Sequence, residues 1–221
     1  MIALIDYKAG NLTSVKKALA TIGADVFVPE TPQDLAEAGG IIVPGVGHFG
    51  ATRALGGAWT DAILARVGEG RPLLGICLGM QWLFEGSDEA PDGAGLGLLS
   101  GRCYRLGTVR LKPDTTGNTP RDTGGVRLQP DRHLKVPHVG WNSLSIQQTT
   151  PIVEGVAQNA QVYFTHSYVC PVNGDTAAVT EHGATFAAVV QRGHVAGVQF
   201  HPEKSGDVGL RILRNFLEMV A

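Results

Sequence analysis

Pro72-Leu73-Leu74-Gly75-Ile76-Cys77-Leu78-Gly79-Met80-Gln81 decides the fold. A short apolar run leads into a cysteine with a glycine two positions away on either side. Leu73–Ile76 reads as a buried strand, and Leu78 to Glu85 as the helix that follows it. A side chain at such an elbow is lifted above the sheet. The small neighbours Gly75 and Gly79 permit the sharp turn and close packing. The amides opening the next helix form a local positive end, which favours a thiolate and a developing oxyanion.

Outward from the elbow, strands and helices alternate. Ile2–Ile5 reads as a first buried strand. Asn11 can cap a helix in which Val15, Leu19 and Ile22 recur at helical spacing and Gly23 ends the run. Asp25–Val28 reads as a second strand, Thr31-Pro32 as the start of a short helix, and Gly40–Val43 as a third strand. That strand runs into the loop Pro44-Gly45-Val46-Gly47-His48-Phe49-Gly50. Residues 51–67 read as helix, weakened at Gly56-Gly57. This alternation predicts an α/β fold, an open and mostly parallel sheet with helices on both faces. Past the elbow the pattern changes. Val162–Thr165, Thr176–Thr180, Ala187–Gln191 and Val195–Gln199 read as short strands that add to the sheet in antiparallel fashion. A closing amphipathic helix carries Val208, Ile212, Leu213, Phe216, Leu217 and Val220, with Ser205 as its cap. Residues 107–130, rich in Gly, Pro, Thr, Asp and Arg, read as a mobile surface loop.

The 221 residues, 43% hydrophobic and 17% charged, suit one domain over 1–221. The net charge of -2 marks no nucleic-acid binder. No apolar run reaches a membrane span, and no basic region precedes the first strand as it would in a signal peptide. Cys77, Cys103 and Cys170 form no metal spacing and leave one thiol over in any disulfide scheme, which fits a reducing cytoplasm. No metal and no cofactor is expected.

A thiol nucleophile needs a base, and the base an orienting carboxylate. Gly197-Val198-Gln199-Phe200-His201-Pro202-Glu203 supplies both. In extended backbone, positions 201 and 203 point to the same side. Glu203 can then hold the His201 ring, and His201 can take the Cys77 proton and return one to a leaving amine. The chain therefore reads as a cysteine-dependent acyl-transfer enzyme. Strand C-termini line the ligand crevice of an open parallel sheet, which puts the Pro44–Gly47 loop beside Cys77. An amide there, such as that of Val46, can face the oxyanion, and one such donor is worth about 10²–10³ in rate.

Six blocks occur in order: Asp6-Tyr7-Lys8-Ala9-Gly10-Asn11, Pro44 to Gly50, Gly75 to Gln81, Val136-Pro137-His138-Val139-Gly140-Trp141-Asn142, Tyr163-Phe164-Thr165-His166-Ser167-Tyr168 and Gly197 to Gly206. Together they resemble the class I glutamine amidotransferases. The set is similar to the branch of glutaminase subunits that serve imidazole glycerol phosphate synthase in histidine biosynthesis. The resemblance implies a flavodoxin-like fold of the class I glutamine amidotransferase type. It implies glutamine as substrate, Cys77 as nucleophile, His201 and Glu203 as its partners, and the Val46 and Leu78 amides as the oxyanion hole. Gly47, Gln81, Glu89, Ser167 and Tyr168 would bind glutamine. A (β/α)8-barrel cyclase subunit would receive the ammonia, across an interface including Asn11, Pro137, Gly140, Trp141, Asn142 and Lys204. A flip of the peptide at Val46 would explain activation by that partner. One departure is Val139, where the branch usually carries methionine.

Two other readings compete. A glutaminase feeding another synthase, such as anthranilate or pyridoxal phosphate synthase, is opposed by Met80 and by the Pro137–Asn142 block. A non-catalytic binding or redox module on the same fold would lack the His-x-Glu base.

Overall fold

A computed structural model describes residues 1–107 and 135–220. Apart from Gly107, the 107–130 segment expected to be mobile lies outside the described residues. In chain order the elements are β1 (Ile2–Leu4), α1 (Leu12–Thr21), β2 (Val26–Phe27), β3 (Gly40–Val43), α2 (Ala58–Gly68), β4 (Leu73–Ile76) and α3 (Leu78–Leu83). The strands β5 (Gly86–Ser87), β6 (Ala90–Ala94), β7 (Arg102–Arg105), β8 (His138–Ser143), β9 (Ser145–Ile146), β10 (Gln161–His166) and β11 (Tyr168–Val169) follow. β12 (Thr176–Glu181), β13 (Thr185–Arg192), β14 (Val195–Val198) and α4 (Gly206–Val220) complete the chain.

The main sheet runs β2-β1-β3-β4-β14-β13-β12-β9. Its first five strands are parallel and the rest antiparallel. Successive side chains of a strand face opposite sides. Accordingly Ile2, Leu4, Ile42, Leu74 and Ile76 enter one core with α1 and α4, while Ala3, Ile5, Ile41, Val43 and Leu73 enter another with α2 and α3. Helices on both faces explain why β1, β3, β4 and β14 are apolar and buried throughout rather than alternating.

The expected α/β sheet is present, with three corrections. Val195–Val198 is not an antiparallel addition. β14 lies in the middle of the sheet, parallel to β4 and antiparallel to β13. A buried four-residue strand carries no mark of its partner's direction. The 162–165 segment, within β10, leaves the main sheet and pairs with β8 in a separate two-stranded ribbon. The helix after the elbow stops at Leu83 rather than Glu85, because the chain turns at once into β5.

The caps follow local chemistry. The Asn11 side chain accepts from the Ser14 amide at 3.2 Å and starts α1. Asp34 accepts from the Glu30 and Thr31 amides and closes the turn that begins at Pro32. Ser205 stands just before α4 and its carbonyl accepts from the Gly209 amide at 3.2 Å, as expected of the cap, but its hydroxyl serves another purpose. The hydroxyl donates to the His201 carbonyl at 2.6 Å and accepts from the Tyr163 amide at 3.0 Å, so it fastens the His201 turn to β10.

Candidate active site

β4 ends at Ile76 and hands over to Cys77, which takes φ 53° and ψ -105°, a backbone region that non-glycine residues rarely occupy. Packing holds it there. The Cys77 amide donates to the Val198 carbonyl at 2.8 Å, and its carbonyl accepts from the Gln81 amide at 3.1 Å. The flanking glycines are required by close approach. A Cβ at Gly79 would overlap the Val43 carbonyl oxygen, and one at Gly75 would lie 2.6 Å from the Gly79 backbone.

His201 and Glu203 meet, though not by the expected geometry. Pro202–Lys204 is a 3₁₀ turn rather than extended chain. The turn still brings Glu203 Oε1 to 2.9 Å from His201 Nδ1. Both side chains are almost wholly buried, at 2% and 3% exposure. Burial opposes a charge on the His201 ring, but the Cys77 sulfur and the Glu203 carboxylate outweigh it and push the ring up to about 9. The bond to Glu203 occupies Nδ1. Nε2 is buried without a closed hydrogen bond and within electrostatic reach of the Cys77 sulfur. That is the nitrogen a base toward Cys77 would use.

A cavity of about 300 Å³ opens over Cys77. Gly47, Leu78, Gln81, Glu89, Ser167 and Tyr168 line it, as do Pro137, Thr165 and His166. The structure thus gathers all five residues expected to bind substrate around the thiol, from four separate parts of the chain. Gln81 Nε2 donates to the Tyr168 carbonyl at 3.0 Å and to Gln199 Oε1 at 3.2 Å. Glu89 Oε2 accepts from the Phe49 amide at 2.7 Å, which ties the cavity lining to the segment after β3.

The two expected oxyanion donors are both engaged elsewhere. The Val46 amide donates to the Ala9 carbonyl at 3.3 Å. The Leu78 amide donates to the Gly45 carbonyl at 3.4 Å. The Gly45–Val46 peptide therefore shows the elbow its oxygen and turns its N–H toward the loop after β1.

The expected interface residues divide. Trp141 and Val139, on one face of β8, are 57% and 56% exposed. Trp141 meets the Tyr163 ring edge-on at 6.0 Å, and Lys204 Nζ lies 5.9 Å from the centre of the same ring. Pro137, Asn11 and Lys204 are exposed and Gly140 half-buried. Asn142 instead turns inward. Its Nδ2 donates to the Glu181 carbonyl at 3.0 Å and lies 3.3 Å from His138 Nε2.

Two groups of site residues were not anticipated. Gln199 Nε2 donates to Cys77 Sγ at 3.6 Å while its Oε1 accepts from Gln81 Nε2, so one amide links the Cys77 sulfur to the cavity wall. His138 and His166 form a chain toward the cavity. His166 Nδ1 lies 3.0 Å from the Tyr168 carbonyl and His166 Nε2 3.3 Å from His138 Nδ1. A carbonyl accepts only, so His166 carries its proton on Nδ1 and His138 donates to His166 Nε2. Burial holds both rings neutral, lowering His138 to about 4 and His166 to about 3. All three residues lie inside the quoted blocks, but nothing in their spacing announces these bonds.

Among the described residues no cluster of His, Cys, Asp and Glu can hold a metal, and no helix is long and apolar enough to cross a membrane.

Comparison with known proteins agrees with this geometry. The chain is 40% identical over 221 residues to imidazole glycerol phosphate synthase subunit HisH of Methanothermobacter thermautotrophicus, covering all of this chain and 99% of the relative. It is 44% identical to the protein of the same name from Bacillus subtilis, covering all of this chain and 97% of the relative. Among solved structures, a glutamine amidotransferase aligns with TM-score 0.71 at 20% identity over 100% of this chain and 99% of that one. PurLQS from Thermotoga maritima aligns with TM-score 0.67 at 16% identity over 100% and 98%, and both likenesses concern the fold. The profile of glutamine amidotransferase class-I matches residues 3–220, and the chain belongs to that family.

Proposed function

We propose that this chain, acting as one domain, is the glutaminase subunit of an imidazole glycerol phosphate synthase in histidine biosynthesis. The observation that carries the reading is a thiol at a strained elbow, backed by a buried histidine–glutamate pair, at the floor of a polar cavity. Full-length relatives at 40–45% identity that bear the synthase subunit's name supply the pathway.

His201 Nε2 takes the Cys77 proton, and the sulfur attacks the side-chain carboxamide carbon of glutamine. The C–N bond breaks as His201 returns the proton to nitrogen, and ammonia leaves. Water, losing a proton to His201, then attacks the glutamyl thioester and releases glutamate and the free thiol. Glu203 keeps the ring in the tautomer with Nε2 free and stabilises its charged form. Gln81, Glu89, Gly47, Ser167 and Tyr168 hold the amino-acid end of the substrate. A Glu89 carboxylate facing the substrate ammonium suits that role.

The peptide at Val46 supplies control. With the Val46 N–H turned to Ala9 and the Leu78 N–H given to the Gly45 oxygen, the tetrahedral oxyanion lacks both donors. Docking of the cyclase, a (β/α)8 barrel, favours rotation of the Gly45–Val46 peptide and so turns hydrolysis on when the ammonia can be used. A sheltered passage then keeps ammonia from protonation in bulk water. Trp141, Pro137, Gly140, Asn11 and Lys204 face the partner, whereas Asn142 braces His138 from behind. A cytoplasmic location fits this role and three free thiols.

The test is glutamate release from glutamine, alone and with the cyclase subunit and its nucleotide. Turnover that is slow alone and rises at least about tenfold in the complex supports the reading. Turnover indifferent to the cyclase but raised by a different synthase would assign the chain to another pathway.

A further inference from the structure

Tyr7 carries a buried hydroxyl with no hydrogen-bond partner among the described residues. Burial, with the Cys77 charge adding to it, raises the phenol above its usual range, so it remains an O–H donor. A buried unpaired donor is unfavourable and uncommon. Its position is informative. The hydroxyl lies against the open side of Gly45, where a Cβ would overlap it, and beside Leu78. It is thus packed on the peptide unit that carries the Val46 amide.

The bonds of that peptide show what rotation would require. In the observed state the Gly45 oxygen takes the Leu78 amide, and the Val46 N–H is given to Ala9, two residues from Tyr7 in the same loop. Turning the peptide to offer the Val46 N–H to an oxyanion takes the Gly45 oxygen off the Leu78 amide, while the Tyr7 hydroxyl stays packed against Gly45. The Ala9 carbonyl, an acceptor, cannot pair with that oxygen. A buried carbonyl without a donor disfavours the rotated state. Among the described residues, the Tyr7 hydroxyl is a buried side-chain donor without a partner, packed against Gly45.

We propose that Tyr7 is a positioning residue for the oxyanion peptide: its hydroxyl donates to the Gly45 carbonyl when the peptide rotates. The inference rests on the glutaminase reading above and adds the group that stabilises the active orientation. Ala9 latches the resting peptide and Tyr7 the rotated one. Each orientation then satisfies one of the two groups that the other leaves unpaired. Replacing the hydroxyl weakens only the rotated state, because in the resting state it has no partner to lose.

Tyr7→Phe tests this. The variant keeps the ring and its packing, so its Tm should equal or exceed that of the parent, since an unpaired polar group is removed. Its kcat for glutamine without the cyclase should fall about fivefold, the worth of one ordinary hydrogen bond. KM for glutamine should hold. In the complex the loss should be equal or smaller. Alkylation of Cys77 by iodoacetamide, which develops no oxyanion, should proceed at the parental rate. An unchanged kcat overturns the proposal, and so does an equal loss in alkylation, which would place the effect on the thiol. If the parent protein itself releases no glutamate with the cyclase present, the glutaminase reading has failed instead.

Discussion

Cys77 shows how packing sustains a strained residue at the candidate site. Its positive φ is sustained because the Val198 carbonyl and the Gln81 amide grip its backbone on both sides. Gln199 then donates to the sulfur. Cys77→Ala should reduce glutamate release at least about 10³-fold without lowering Tm by more than a few degrees, and combining it with His201→Ala should reduce the rate little further. The His201–Glu203 pair makes a separate claim about pH. The folded ring titrates near 9 against an ordinary value of 6.5, so the native state holds the extra proton between those values. Stability from the charged ring is fully present below pH 6.5 and is lost as pH rises through 9. The Tm gap between the parent and Glu203→Gln should therefore be widest near pH 6 and shrink toward pH 9.5. A gap that grows with pH would show that the ring is not held charged.

Among the elements, α3 and β3 are joined by the closest approach. Gly79→Ala should push α3 off the Val43 carbonyl and destabilise by about 1–3 kcal/mol, read from denaturant midpoints at constant slope. The β8–β10 ribbon carries the second claim at this scale. His138 and His166 are buried neutral, with folded values near 4 and 3. An unfolded histidine binds its proton below about 6.5, so stability falls as pH drops from there toward 4. His166→Gln should lower stability at pH 7.5 yet flatten that acid decline; an unaltered acid slope would refute the burial of a neutral ring. The elements legible in the sequence were those with their own local signature: the Asn11 cap, the glycine-flanked elbow and the apolar strands around it. Strand direction was not legible at Val195–Val198, because parallel and antiparallel neighbours demand the same buried valines and glycine. The ribbon partner of β10 was missed because β8 reads His-Val-Gly-Trp-Asn-Ser, whose outward Val139 and Trp141 break the usual alternation of apolar-in and polar-out. The 201–203 turn was misjudged since proline fixes φ without forbidding a 3₁₀ turn.

At the scale of the whole molecule, the parallel strands run in the order β2-β1-β3-β4-β14, and the loops after β1, β3, β4 and β14 supply Tyr7 and Ala9, Val46, Cys77, and His201. The candidate catalytic residues thus collect at the carboxyl ends of the strands, where open α/β sheets place their ligand crevice. The exposed face of the ribbon backs directly onto this site. Tyr163 stacks edge-on with Trp141, and its main chain holds the His201 and Ser205 backbone and side-chain groups. Trp141→Ala should weaken cyclase binding by about 2 kcal/mol, roughly 30-fold in Kd by calorimetry, with Tm unchanged. Unaltered affinity would move the docking face elsewhere. The central claim is that Cys77 is the atom to which glutamine's acyl group is transferred. Intact-mass analysis of the cyclase complex after exposure to a diazoketone analogue of glutamine tests it most directly. The account expects one adduct per chain, mapping to Cys77 and absent from Cys77→Ala; no adduct, or one on Cys103 or Cys170, would contradict it.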